Sequence, residues 1–464
     1  MSGRRKHQRG REGQRPASAS SRPGAFRGRW RWWLAGSLLS VVALVTLPLW
    51  KTAPPPVVSV NTSGFDPVIA AAVLQARDAV QSSPRSAAMR GRMGMLLLAH
   101  EVWAEARECF AQAMALAPRE PRWPYFLGLA QLVDNPTAAV TNLQRAVRLL
   151  PEHESAPRLK LAETLLGLGR LEEAEVLYRH VREREPNSAA TALGLGKVAN
   201  ARDQLSEAAD FLTAATANTS TRKAAHRLLL NVNQRLGRSN EVKRIARALT
   251  DLASDEALPD PFLSEVEQLK TGEEASINRA DQWIKDGQVA QAARLLEQTI
   301  QTYPHSDRAM FFLGRARLRL GDAAGAETIL LRAAELAPDS VEAQLQLGVT
   351  LLSRGRPKEA QLCFRAAIKA KPNLGEAWFN LALSLGAENE RAECVKAFRE
   401  AIRLRPNLIE AYLGLAVVLR ADGQRRAAAE ELRRALELEP AEPLRRKLLS
   451  QLELVEPPGG GENR

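Results

Sequence analysis

Residues 375–408 read GEAWFNLALSLGAENERAECVKAFREAIRLRPNL, and the same pattern stands on both sides of them at a spacing of 34. Pro304, Pro338, Pro372, Pro406 and Pro440 mark the period over four intervals. Counting each unit from Asp307, Val341, Gly375 or Ile409 as position 1, position 3 is Ala309, Ala343, Ala377 and Ala411. Position 7 is always leucine: Leu313, Leu347, Leu381 and Leu415. Position 8 is small (Gly314, Gly348, Ala382, Ala416), and so is position 20 (Ala326, Ala360, Cys394, Ala428). Position 24 is large and apolar: Leu330, Phe364, Phe398 and Leu432. So many locked columns identify a repeat protein.

Each column has a physical cause. Positions 3, 7, 8 and 11 share one helical face, and positions 20, 24, 27 and 28 share another. Small residues at 8 and 20 let two antiparallel helices cross closely, and the large residues at 7 and 24 fill the space beside the crossing. The proline at position 32 lacks an amide hydrogen and ends the second helix. Gly321, Gly355 and Gly423 stand at position 15, where the first helix stops and a residue free to take positive φ is useful. Each unit is a helix-turn-helix that buries its apolar face only by stacking on its neighbours.

These columns closely resemble the tetratricopeptide repeat, with Trp378, Leu381, Ala382, Cys394, Phe398, Ala401 and Pro406 as the fullest match. Position 11 departs from the family's tyrosine, carrying Leu351, Leu385 and Leu419, with Arg317 in the first unit. The resemblance implies an all-α, right-handed superhelical solenoid with the first helices on its concave side. It further implies that positions 5 and 9 face that groove and hold a peptide or a partner helix. Here those positions are Phe311, Leu345, Phe379 and Leu413, and Arg315, Val349, Leu383 and Val417. They predict an apolar strip about four repeats long. The family's carboxylate clamp uses Lys, Arg and Asn in this groove, and only Asn380 fits it. Glu342, Glu376 and Glu410 at position 2 repel an acidic chain end, so the expected ligand is an apolar or basic peptide or helix. The competing expectation is that these side chains pack between repeats and leave no open strip.

The array extends toward the N-terminus in looser form. Ala87–Pro118 is a full unit, with Met93, Gly94, Ala106, Phe110 and Ala113 in register. Further units follow through Thr250, the last of them poorly matched. Asp251 to Gly272 breaks the period and contains Pro259, Asp260, Pro261 and a possible short helix, FLSEVEQL. It reads either as a joint between two arrays or as a tolerated insertion. The resulting layout is an N-terminal array over 67–250, a joint over 251–272, a C-terminal array over 273–442 and a capping helix over 443–455. About ten units are expected, and residues 456–464 form a loose tail.

Upstream of the repeats, 32–50 is uncharged and nearly all apolar, with Trp30, Trp32, Trp33 and Trp50 at its ends. Nineteen residues rise about 28 Å, enough for a hydrocarbon core of about 30 Å. This predicts a transmembrane signal anchor, with a cleaved signal peptide or an organellar targeting sequence as alternatives. Residues 1–31 hold ten Lys and Arg against one Glu, a basic tail expected to be disordered and to stay cytoplasmic. The repeats then lie on the extracytoplasmic side, periplasm-like in a bacterium, behind a Pro-rich linker over 51–66. With the net +12 charge concentrated in the tail, 67–455 is nearly balanced, which argues against a nucleic-acid-gripping solenoid.

Catalytic chemistry finds no foothold. HExxH, paired Cys, GxxxxGK[ST] and GxSxG patterns are absent; of the six histidines His7 lies in the tail, and the other five are scattered through the repeats at different positions. Gly194-x-Gly196 falls inside a helix and reads as packing. Cys109, Cys363 and Cys394 sit on second helices as small core residues. No enzyme activity, cofactor, metal or small-molecule substrate is expected. A membrane-anchored scaffold for protein partners leads. A nonenzymatic subunit of an envelope, secretion or cofactor-assembly complex is its narrower form. An RNA-binding helical repeat using the Arg-rich tail is the outlying reading.

Overall fold

The computed structural model describes residues 53–456. The proposed anchor over 32–50 and the basic tail lie outside the described residues. Among the described residues the secondary structure is helical, and no helix is long and apolar enough to cross a membrane.

A lone helix, α1 (Pro67–Ser82), comes first. Five antiparallel pairs follow. They are α2 (Ala87–Ala99) with α3 (Trp103–Leu116), α4 (Arg122–Gln131) with α5 (Pro136–Leu149), and α6 (Ala156–Gly167) with α7 (Leu171–Arg184). Then come α8 (Ala189–Ala201) with α9 (Leu205–Ala215), and α10 (Arg222–Arg235) with α11 (Ser239–Asp251). The short α12 (Pro261–Glu267) interrupts the series. The second five are α13 (Glu273–Lys285) with α14 (Val289–Thr302), α15 (Asp307–Arg319) with α16 (Ala323–Leu336), and α17 (Val341–Ser353) with α18 (Pro357–Ala370). They end with α19 (Gly375–Ala387) with α20 (Arg391–Leu404), and α21 (Ile409–Ala421) with α22 (Arg425–Glu437). A final helix, α23 (Glu442–Val455), covers the end of the stack with Leu448 and Val455 buried.

The columns do in three dimensions what their chemistry requires. Leu313, Leu347, Leu381 and Leu415 are buried, and so are Ala326, Ala360, Cys394 and Ala428 on the facing helices. Gly194 and Gly196 show how tightly the helices approach. A Cβ on Gly194 would lie 2.3 Å from the ring of Tyr178, and one on Gly196 would lie 2.8 Å from Leu212. Serines start several first helices: Ser86, Ser188, Ser306 and Ser340 each accept a hydrogen bond from the amide three residues on. Gly321, Gly355 and Gly423 do adopt positive φ, at 82°, 74° and 77°. Units without that glycine bend the same way, with Glu101, Asp203 and Asn389 at φ of 61°, 64° and 59°.

First helices of adjacent units touch one another, as in α13 with α15, α15 with α17 and α17 with α19, while second helices do not approach as closely. The stack therefore bends toward the first helices and makes theirs the concave side. The linker differs from the free spacer expected. Val58 is buried, and Asp66 accepts hydrogen bonds from the amides of Val68 and Ile69, so its last residues belong to the folded body.

Candidate functional site: two grooves, one of them occupied

The two arrays present their concave faces differently. In the C-terminal array, Val349, Leu383 and Val417 occupy equivalent places on α17, α19 and α21, and each is 39 % exposed. Beside them Leu345, Phe379, Asn380 and Leu413 are half-buried. Phe379 leans on Phe398 of α20 with ring centroids 6.0 Å apart. Glu342, Glu376 and Glu410 are exposed along the same helices. The strip is shorter than the four repeats expected. Arg315 pairs with Asp281 at 3.2 Å and lies over the rings of Phe311 and Phe312, at 5.7 Å and 5.2 Å. Its guanidinium closes the first unit of the strip, so the open part begins at Leu345.

In the N-terminal array most of the apolar side chains at the matching places are covered, while Leu159 and Lys197 are half-buried and Glu163 is exposed. Met95, Tyr125, Leu129 and Leu193 are all buried. What lies over them is residues 252–272, the stretch that breaks the period. This strap runs along the first helices in reverse order. Asp255 accepts hydrogen bonds from the amides of Lys223 and Ala224 at the start of α10, at 2.6 Å and 2.8 Å. Residues 256–263 then pass beside α8 and α6. Asp260 accepts the Tyr125 hydroxyl hydrogen bond from α4, and the same carboxylate caps α12 by accepting from Phe262 and Leu263. Phe262 packs on Tyr125 and Phe126, with centroids at 5.1 Å and 6.4 Å. Glu265 reaches Arg122 at 3.6 Å. The Thr271 amide donates to His100 Nε2 at 3.4 Å.

The strap ends at Asp66. One carboxylate oxygen of Asp66 accepts from the Tyr303 hydroxyl at 2.7 Å, and the other faces the Glu273 amide at 3.4 Å. A residue at the entry to the first array is thereby tied to the start of the second. Burial alone pushes the Asp66 carboxyl up, but hydrogen bonds from Tyr303, Val68, Glu273 and Ile69 outweigh it and hold the group below its ordinary value. For His100, burial and then the Lys270 charge depress the imidazolium, against pulls from Asp66 and from a backbone hydrogen bond at Leu269. The period-breaking segment is neither a bare joint nor an idle insertion. Sequence reasoning missed its docking because Tyr125 and Asp260 are 135 residues apart.

The remaining candidates are structural. Cys109, Cys363 and Cys394 are buried, and burial pushes their thiols up to about 12, about 11 and about 11. Among the described residues no cluster of His, Cys, Asp and Glu could hold a metal ion.

Fold and groove together define a helical-repeat solenoid whose first helices line its concave surface. The tetratricopeptide repeat profile matches residues 133–193, 165–232, 284–346, 341–384, 375–408 and 409–442, and the chain belongs to that family. A curated relative, cellulose synthase 1 operon protein C of Komagataeibacter xylinus, is 26 % identical over 245 residues. That match covers 49 % of this chain but only 17 % of the relative's length. Among solved structures, MamA is similar at 22 % identity and a TM-score of 0.34, over 34 % of this chain and 94 % of that one. YrrB, described as a TPR protein with an unusual peptide-binding site, is similar at 19 % identity and a TM-score of 0.36, over 41 % of this chain and 98 % of that one.

Proposed function

We propose that the protein is a nonenzymatic scaffold that holds partner proteins in the open groove of its C-terminal array. The observation that carries this is the row Val349, Leu383 and Val417, each 39 % exposed at equivalent places on successive first helices. Apolar side chains in register on a concave surface are suited to an extended segment or an amphipathic helix. The exposed Glu342, Glu376 and Glu410 favour a ligand that is apolar or basic. A photo-crosslinking residue at Asn380 in the full chain, used in native membranes, tests this. One or two proteins should be captured, and Leu383→Asp with Val417→Asp should lose them while a purified partner binds the unsubstituted chain one to one. Capture that survives the substitutions removes the groove from the proposal.

We further propose that the scaffold is membrane-anchored through 32–50, with its N-terminus cytoplasmic and the repeats on the extracytoplasmic side. Support comes from the uncharged run, its flanking tryptophans and the preceding arginines. Reporter fusions before residue 30 and after residue 456 should report opposite sides, and release of the repeats by alkaline extraction would argue against anchoring. The narrower role, a nonenzymatic subunit of an envelope or secretion complex, draws support from the operon named in the curated relative.

A further inference from the structure

The strap does more than connect two arrays, because its contacts are those of a bound peptide. We infer that the N-terminal groove is a second peptide site, selective for a segment of the form apolar-x-Pro-Asp-Pro-aromatic-Leu that is extended up to its Asp and helical from the following Pro, and that residues 252–272 hold it closed in cis. This site is separate from the open C-terminal groove and stands without the function proposed for it.

Three observations carry the inference. The recognition points are specific. Asp260 is buried to 9 % exposure, and it divides its oxygens between the Tyr125 hydroxyl and the amides of its own helix start. Phe262 meets the two rings of Tyr125 and Phe126, and Glu265 faces Arg122. A connector would need only length; this one presents an acid, a ring and a second acid, each to a matching group.

The fit is also incomplete. Between residues 256 and 263 the strap stands off the helices and leaves a cavity of about 390 Å³. Leu159, Leu193, Lys197, Ala257 and Leu258 are among its walls. Ala257 is too small to fill it, and Leu258 is 47 % exposed. A ligand with a larger apolar residue in the place of Ala257 would gain contacts the strap lacks.

Finally, the strap is continuous at one end with the array it covers and is pinned near the other by the Thr271–His100 hydrogen bond, so it competes at an effective concentration in the millimolar range. An outside ligand then binds well only where it makes contacts the strap does not, or where the strap has been loosened.

The test uses a labelled peptide, SDEALPDPFLSEVEQL (residues 254–269), added to the full chain in detergent and followed by fluorescence anisotropy. Asp260→Ala with Phe262→Ala opens the strap and should tighten peptide binding at least tenfold over the unsubstituted chain. Adding Tyr125→Phe to the opened chain should return most of that gain. A peptide with Leu in place of Ala257 should bind the opened chain several-fold tighter than the native peptide. An opened chain that keeps its helical circular dichroism and binds no better than the unsubstituted chain overturns the inference. Should the double substitution unfold the protein, the milder Phe262→Leu should still tighten binding about threefold, and no gain from that folded variant overturns it equally.

Discussion

A column of side chains that the repeat pattern does not advertise repairs the damage done by the terminating proline. Proline ends the second helix, and its own carbonyl is left near the next unit's first turn. Six residues later a donor reaches back to it. Gln344 donates to the Pro338 carbonyl, Trp378 to Pro372 and Tyr412 to Pro406, at 3.2 Å, 3.0 Å and 3.0 Å. Arg90 does the same for Pro84. In the unit where this place is Met310, Arg332 satisfies Pro304 from another helix. Four chemically unlike residues serve one need, and for that reason composition by column does not reveal it; the need becomes visible only when carbonyls are counted. Tyr412→Phe keeps the ring and removes the donor. It should cost about 1 kcal/mol, seen as a lower urea midpoint with unchanged helicity. Glu101 poses the opposite case. Its φ of 61° is strained for a residue with a Cβ, where sister units use glycine. Glu101→Gly should therefore stabilise the first unit by up to about 1 kcal/mol, read as slower hydrogen exchange in α2 and α3.

At the scale of single elements, acid should loosen the strap in two steps. The imidazole of His100 accepts a hydrogen bond from Thr271 only while Nε2 is unprotonated. Its folded pKa is lowered, so this contribution is full above the unfolded value of about 6.5 and is lost as pH falls through the lower folded value. Asp66 is a depressed carboxyl, so its contribution is full above about 3.9 and is lost as pH falls through its own folded value. Acid should free the Thr271 end first and the Asp66 junction later. Amide exchange, corrected for intrinsic rates, should show Thr271 losing protection at a higher pH than Glu273, and His100→Gln should abolish the earlier step. Simultaneous loss near pH 4 would remove His100 from this role. The helices themselves were legible because each depends on neighbours a few residues away. The aspartate-proline start of α12 was legible too, since Asp260 and Pro261 are a local cap signal. Its docking was not, because Tyr125 and Phe126 carry no mark of the segment that covers them.

Taken as a whole, the molecule uses one repeat architecture for two kinds of surface. The same places on the first helices hold Met95 and Leu129 under cover in one array and Leu383 and Val417 half open in the other. Apolarity at those places was readable from the sequence, but exposure was not, because it depends on where a non-repeating segment goes. The contrast predicts opposite responses to charge. Leu383→Asp should shift stability by no more than about 0.5 kcal/mol, as an exposed substitution does. Leu129→Asp should cost about 3 kcal/mol or more, since it places a carboxylate where water is excluded. Urea melts of the two variants settle the comparison, and equal costs would mean the two grooves are not differently covered.

Asp66 also decides how the molecule carries load. A pull on the chain ahead of residue 66 arrives at a side chain hydrogen-bonded to Tyr303, beyond the strap and across the start of the second array. Tension entering there divides, part running through the first five helix pairs and part passing straight to the second five. The first array is thus bypassed rather than stretched in series, and a force-extension trace should show it rupturing only after the Asp66 junction has let go.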